Sequence, residues 1–107
     1  MNYETISPLE LKARMDSGEQ VTIIDVREPI EYSIAHIEEA RLLPLSRFEE
    51  WAETLKPEEE IIVMCHHGIR SAQVCAILAS LGFKRMINLA GGIDGWSNEV
   101  DSSVPVY

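Results

Sequence analysis

Residues Ile61-Ile62-Val63-Met64 are apolar throughout and mostly β-branched. A short run of this kind reads as a strand buried on both faces. Beyond the segment Cys65 to Arg70, Val74, Leu78 and Leu81 recur at spacings of four and three, the period of a helix over Ser71 to Leu81, and Gly82 stands where a C-cap belongs. A buried strand joined to a helix by so short a loop is the unit of a parallel sheet covered by helices. This unit constrains the chain more than any other stretch.

The flanking sequence repeats the alternation. Ser7-Pro8-Leu9-Glu10 has the form of a capping box with proline at the first helical position, and Ile6 and Leu11 stand as a hydrophobic staple. That helix is expected to end near Gly18. Val21 to Val26 reads as a central strand, a short helix follows Pro29, and "ARLLPL" offers a brief strand that Pro44 stops or pushes to an edge. Ser46-Arg47-Phe48-Glu49 repeats the capping-box form, opening a helix with Phe48, Trp51 and Leu55 on one face. "RMINL" reads as the last strand, before the Gly91-Gly92 turn and a short helix around Trp96. The expected architecture is a single α/β domain over residues 1–107 with a largely parallel sheet.

Composition narrows the functional classes. The chain is 46% hydrophobic and 25% charged, as in soluble globular proteins, and its longest apolar run, Ile61 to Cys65, is far too short to span a membrane. The start "MNYETISPLE" has neither a basic n-region nor an apolar h-region, so a cytoplasmic location is expected. A net charge of -9 argues against nucleic acid or an anionic membrane as partner. An anionic substrate has to be captured by a local cradle of donors.

Residues 65 to 70 supply such a cradle. They lie between the C-terminal end of a strand and a helix N-terminus, where α/β sheets bind ligands and where unpaired amides and the helix dipole favour an anion. Gly68 can take the positive φ of an amide nest, and Arg70 adds a permanent charge and a planar fork. The first anion to consider is the thiolate of Cys65, which makes that residue the candidate nucleophile. Cys75, beside Val74 and one turn before Leu78, reads instead as a buried core thiol. Cys65, His66 and His67 are adjacent and match no zinc spacing, so no metal is expected. His67 is open to two readings, a group tuning the thiolate or touching substrate, and a solvated loop residue.

"CHHGIRS" resembles the active-site loop of rhodanese-domain sulfurtransferases, Cys-x-x-Gly-x-Arg-Ser; "IDVREPIEYSIAHIEEA" and "NLAGGIDGW" resemble two further motifs of that family. The likeness runs from about Ser7 to Val106. It implies a rhodanese-like α/β fold, with about five strands in a largely parallel sheet and helices on both faces. It also implies that Cys65 accepts a sulfur atom as a persulfide, that His66, His67, Gly68, Ile69, Arg70 and Ser71 bind substrate, and that Asp25 and Arg27 support the loop, the other reading of those two being an ordinary turn ion pair. Gly91, Gly92 and Trp96 shape a turn and fill the core, with no chemistry assigned. Ala35 and Glu39 stand where the family commonly has glycines. The implied reaction takes sulfur from a small anionic donor such as thiosulfate to cyanide, a thiol or a protein acceptor, with no cofactor. Two other classes compete: a phosphatase or arsenate reductase, whose loops have five residues between Cys and Arg where this chain has four, and a non-catalytic binding module.

Overall fold

The computed structural model, which describes residues 2–107, runs β1 (Glu4–Ile6), α1 (Pro8–Asp16), β2 (Ile23–Asp25), α2 (Pro29–Ile34), β3 (Ala40–Leu42), α3 (Phe48–Trp51), β4 (Glu60–Met64), α4 (Ile69–Ser80), β5 (Arg85–Leu89) and α5 (Gly92–Glu99). The five strands form one parallel sheet in the order β1-β5-β4-β2-β3. Because every pair is parallel, all strands end on the same side. The connection leaving β2 goes to β3, whereas that leaving β4 goes to β5, in opposite directions along the sheet. Adjacent strands whose exits diverge leave a crevice beyond their C-terminal ends.

Side-chain alternation divides the apolar residues between two cores. Ile62 and Met64 of β4 join Ile23, Ile87, Leu89, Leu11 of α1, and Ile93 and Trp96 of α5 on one face. Ile61 and Val63 join Ile24, Met86, Trp51 of α3, and Val74, Cys75 and Leu78 of α4 on the other. β4 is therefore covered on both faces, as its unbroken apolar sequence requires.

The Ser7 capping box forms as the sequence implies: Glu10 N–H donates to Ser7 Oγ at 3.1 Å, and Ser7 N–H donates to Glu10 Oε1 at 3.0 Å. β3 lies at an edge, as Pro44 dictates. Four features depart from the sequence reading. β1 is a strand of three residues with only Ile6 buried, too short and too polar to leave a signal. The capping box expected at Ser46 does not form, because the Ser46 hydroxyl donates to the Glu28 carboxylate at 2.5 Å. The helix expected there is one turn of α3 between 3₁₀ turns at Leu45–Arg47 and Ala52–Thr54. α4 starts at Ile69, two residues before the expected Ser71, and Leu81, expected on its apolar stripe, is 64% exposed beyond its end.

At the C-terminal end of β2, Asp25 and, two residues on, Arg27 are both fully buried and paired. Arg27 Nε lies 3.0 Å and 3.1 Å from the two Asp25 oxygens, and Nη2 donates at 2.7 Å to Asp25 Oδ2 and at 2.7 Å to the Ala35 carbonyl. Nη1 donates to the Tyr107 hydroxyl at 2.9 Å and to the Glu31 carbonyl at 3.3 Å. Removing one partner strands a buried charge, so Arg27→Leu is expected to destabilise the fold by about 3 to 5 kcal/mol. Urea titration of the variant checks this; a loss close to that of an exposed pair would show that the pair is unimportant for stability.

Candidate active site

Cys65 emerges from β4 with 1% exposure, its sulfur turned toward the start of α4. Gly68 N–H donates to Sγ at 3.1 Å and Ser71 N–H at 3.4 Å. Gly68 takes φ 104° at the N-cap, a left-handed conformation that glycine adopts without strain. The Ser71 hydroxyl lies 3.3 Å from Sγ and donates at 2.5 Å to Asn88 Oδ1, while Asn88 Nδ2 donates at 3.2 Å to the Gly68 carbonyl. Sulfur, Gly68, Asn88 and Ser71 thus close a ring. With its proton on Asn88, the Ser71 oxygen accepts from a thiol; facing a thiolate, the hydroxyl has to turn away from Asn88.

The loop is held from behind by α5. The Cys65 carbonyl accepts from Ile93 N–H at 2.8 Å and the His66 carbonyl from Asp94 N–H at 3.1 Å. This close approach requires Gly92, at φ 58°: a Cβ there would stand 2.4 Å from the Cys65 carbonyl oxygen and 2.6 Å from that of His66. The diglycine assigned only a turn from the sequence is therefore the clamp that fixes the two peptides after β4.

Charges pair off around the mouth. Arg70 Nη1 and Nη2 donate to the two Glu31 oxygens at 2.7 Å and 2.9 Å, a bidentate pair from α4 to α2. Glu31 also accepts from its capping partner Glu28 N–H at 3.1 Å and from the Tyr107 hydroxyl at 2.9 Å. Chiefly through Arg70, its carboxyl is held down at about 2. Arg70 is raised in turn by Glu31. The His66 ring is stacked between His67 at 3.8 Å and Tyr107 at 3.9 Å.

Of the residues singled out in the sequence, Cys65, Gly68 and Ser71 meet at the sulfur. His66 and His67 form a stacked wall, Ile69 is exposed, and Arg70 is bound to Glu31. Asp25 and Arg27 reach the loop through Tyr107 and Glu31, and among the described residues no hydrogen bond joins them to it directly. Ala35, in place of a family glycine, has extended backbone at φ -157°, which any residue adopts. His36 pairs with Glu38 at 2.8 Å and stacks on Tyr32, outside this cluster. Cys75 is buried, and burial pushes its thiol up to about 12. Glu31, Asn88, Gly92 and Tyr107 were not recognised as site residues from the sequence. Asn88 had a signal, as the polar residue inside "RMINL"; Tyr107 had none.

A family model for the rhodanese-like domain matches residues 7–99. The chain is 35% identical over 105 residues to the probable adenylyltransferase/sulfurtransferase MoeZ of Mycobacterium tuberculosis, covering 96% of this chain and 27% of that protein. It is 34% identical over 96 residues to the thiosulfate sulfurtransferase GlpE of Coxiella burnetii, covering 90% of this chain and 89% of that one. The crystal structure of a rhodanese-like domain protein from Staphylococcus aureus superposes with a TM-score of 0.83 at 27% identity, over 97% of this chain and 98% of that one.

Two outcomes are expected. Gly92→Ala forces the Cys65–His66 backbone aside, so it should slow alkylation of Cys65 by iodoacetamide at least several-fold; an unchanged rate would show that the clamp is dispensable. Glu31 titrates at about 2 against an ordinary 4.5, so its contribution to stability is present above 4.5 and lost as pH falls toward 2. Urea midpoints should fall across that window, and Glu31→Gln should flatten this part of the profile.

Proposed function

The chain belongs to the rhodanese-like domain family, and from that membership we infer that it is a sulfurtransferase working through a persulfide on Cys65. The observation that carries the reading is the Cys65 sulfur, seated at the end of β4 with the amides of Gly68 and Ser71 directed at it. In the first step the thiolate attacks the outer sulfur of a donor such as thiosulfate; the S–S bond of the donor breaks and sulfite leaves with its electron pair. In the second, cyanide, a thiol or a protein acceptor takes that sulfur and the thiolate returns. Amides that face the sulfur before reaction stabilise the anion at each stage without reorganising. The reaction consumes no cofactor, and a reducing cytoplasm keeps the thiol available.

A phosphatase reading has less support. The four residues between Cys65 and Arg70 make a tight ring whose amides converge on one sulfur, and Arg70 is engaged with Glu31. A tetrahedral oxyanion requires more inward donors.

Incubation with thiosulfate should add the mass of one sulfur atom to the intact protein. Cys65→Ser should abolish the addition. Cys75→Ser should leave it, because the Cys75 thiol, pushed up to about 12, remains protonated at neutral pH. Sulfur mapping to Cys75 alone would overturn the assignment.

A further inference from the structure

On the face of the sheet that carries α1 and α5 lies a cavity of about 530 Å³, a size suited to a small molecule. Its walls come from α1, from the turn between α2 and β3, and from the chain beyond α5, and none of residues 65–71 lines it. Met15, Ile37, Trp96, Val100 and Val104 make part of the lining apolar. Trp96 also brings a polar handle. It is 4% exposed, and its indole N–H has no partner among the described residues, whereas that of Trp51 donates to the Pro44 carbonyl at 2.7 Å. The one side-chain nitrogen or oxygen that is both sealed from solvent and unpaired among the described residues is His66 Nε2. The Trp96 N–H therefore keeps access to open space, and the open space that Trp96 lines is this cavity. Indole N–H groups in the interior ordinarily find an acceptor; here it has to come from what enters.

The rim of the cavity is acidic. Glu39 is exposed and forms no hydrogen bond or ion pair among the described residues. Asp101 uses Oδ1 to accept from the Ser103 N–H at 3.0 Å and the Ser103 hydroxyl at 2.5 Å, leaving Oδ2 free. Lys12 Nζ lies 3.0 Å from Asp16. Its charge is favoured chiefly by Asp16 and more weakly by Glu39 and Asp101, so these two carboxylates, 62 positions apart, face one opening. With Lys12 matched by Asp16 and His36 drawn to Glu38 at 2.8 Å, Glu39 and Asp101 have no cation of their own.

We propose that this cavity binds a small primary amine carrying an apolar group and a carbonyl, the chemistry of an amino-acid amide or of the amino-terminal residue of a peptide. The ammonium pairs with Glu39 and Asp101, the apolar group lies against Met15, Val100 and Val104, and the carbonyl accepts from the Trp96 N–H. Two carboxylates on separate segments suit an ammonium, whose three donors rotate, more than the fixed fork of a guanidinium. An acid of the same size meets two like charges at the rim.

The test follows the two indole N–H signals in proton–nitrogen correlation spectra of the full chain, told apart with Trp51→Phe. L-Leucinamide is added at about pH 6.5, where an α-amine carries its charge. It should move the Trp96 signal in a saturable way and leave that of Trp51 in place. 3-Methylbutylamine, the same cation without the carbonyl, should bind roughly fivefold more weakly. N-Acetylleucine, an anion, should not saturate. Glu39→Gln and Asp101→Asn should each weaken leucinamide roughly threefold. Glu39 is exposed and unpaired, so its variant should keep the wild-type rate of Cys65 alkylation, which checks the fold. The peptide Leu-Gly-Gly-amide set beside leucinamide separates a peptide source from a free small molecule, and tighter binding of either supports the class. A Trp96 signal that leucinamide does not move, N-acetylleucine binding as tightly as leucinamide, or leucinamide affinity unchanged in Glu39→Gln would overturn the proposal. Each of these outcomes leaves the sulfurtransferase reading in place, because the cavity and the Cys65 loop share no residue.

Discussion

The site depends on how β4 ends. A strand with a hydrogen-bonded neighbour on each side and a core on each face has no freedom until its last residue, so Cys65 leaves the sheet at a fixed point and in a fixed direction. The loop beyond it is fixed from two sides. The amides of α5 hold the Cys65 and His66 carbonyls, and Asn88 of β5 holds the Gly68 carbonyl. With these carbonyls anchored away from the sulfur, the peptide N–H groups of Gly68 and Ser71 are left to face it. The nest is the complement of the clamp.

Electrostatics at the mouth obey a similar pairing of partners. Asp25 with Arg27 and Glu31 with Arg70 form two ion pairs, and the Tyr107 hydroxyl joins them by accepting from Arg27 and donating to Glu31. The first pair is buried and structural. The second is part-exposed and opens from the α4 end of the Cys65 loop. An acidic chain thus directs two backbone dipoles at the Cys65 sulfur while its nearest charges are paired off.

Much of this was legible in the sequence because the signals were local. The unbroken apolar run of β4, the Ser7 capping box, the glycine at 68 and the helical spacing of Val74 and Leu78 each depend on neighbours within a turn or two, and all took the expected form. The failures were of the opposite kind. Ser46 had the form of an N-cap and was claimed by Glu28, 18 positions away. The partner of Arg70 is Glu31, 39 positions away, and went unread. Tyr107 closes a network whose other members lie in the first two-thirds of the chain. Pairings of this kind are decided by the folded sheet bringing distant polar groups together, and no local pattern encodes them.

The division of the apolar residues into two cores has an optical consequence. The chain has two tryptophans, Trp51 in the core under α3 and α4 and Trp96 in the core under α1 and α5. Each indole samples one face of the same sheet. Because β2, β4 and β5 send alternate side chains to both faces, neither core can come apart without disturbing the strands that build the other. The molecule thus has a built-in pair of fluorophores for its own cooperativity: emission from one layer reports the integrity of the layer it never touches.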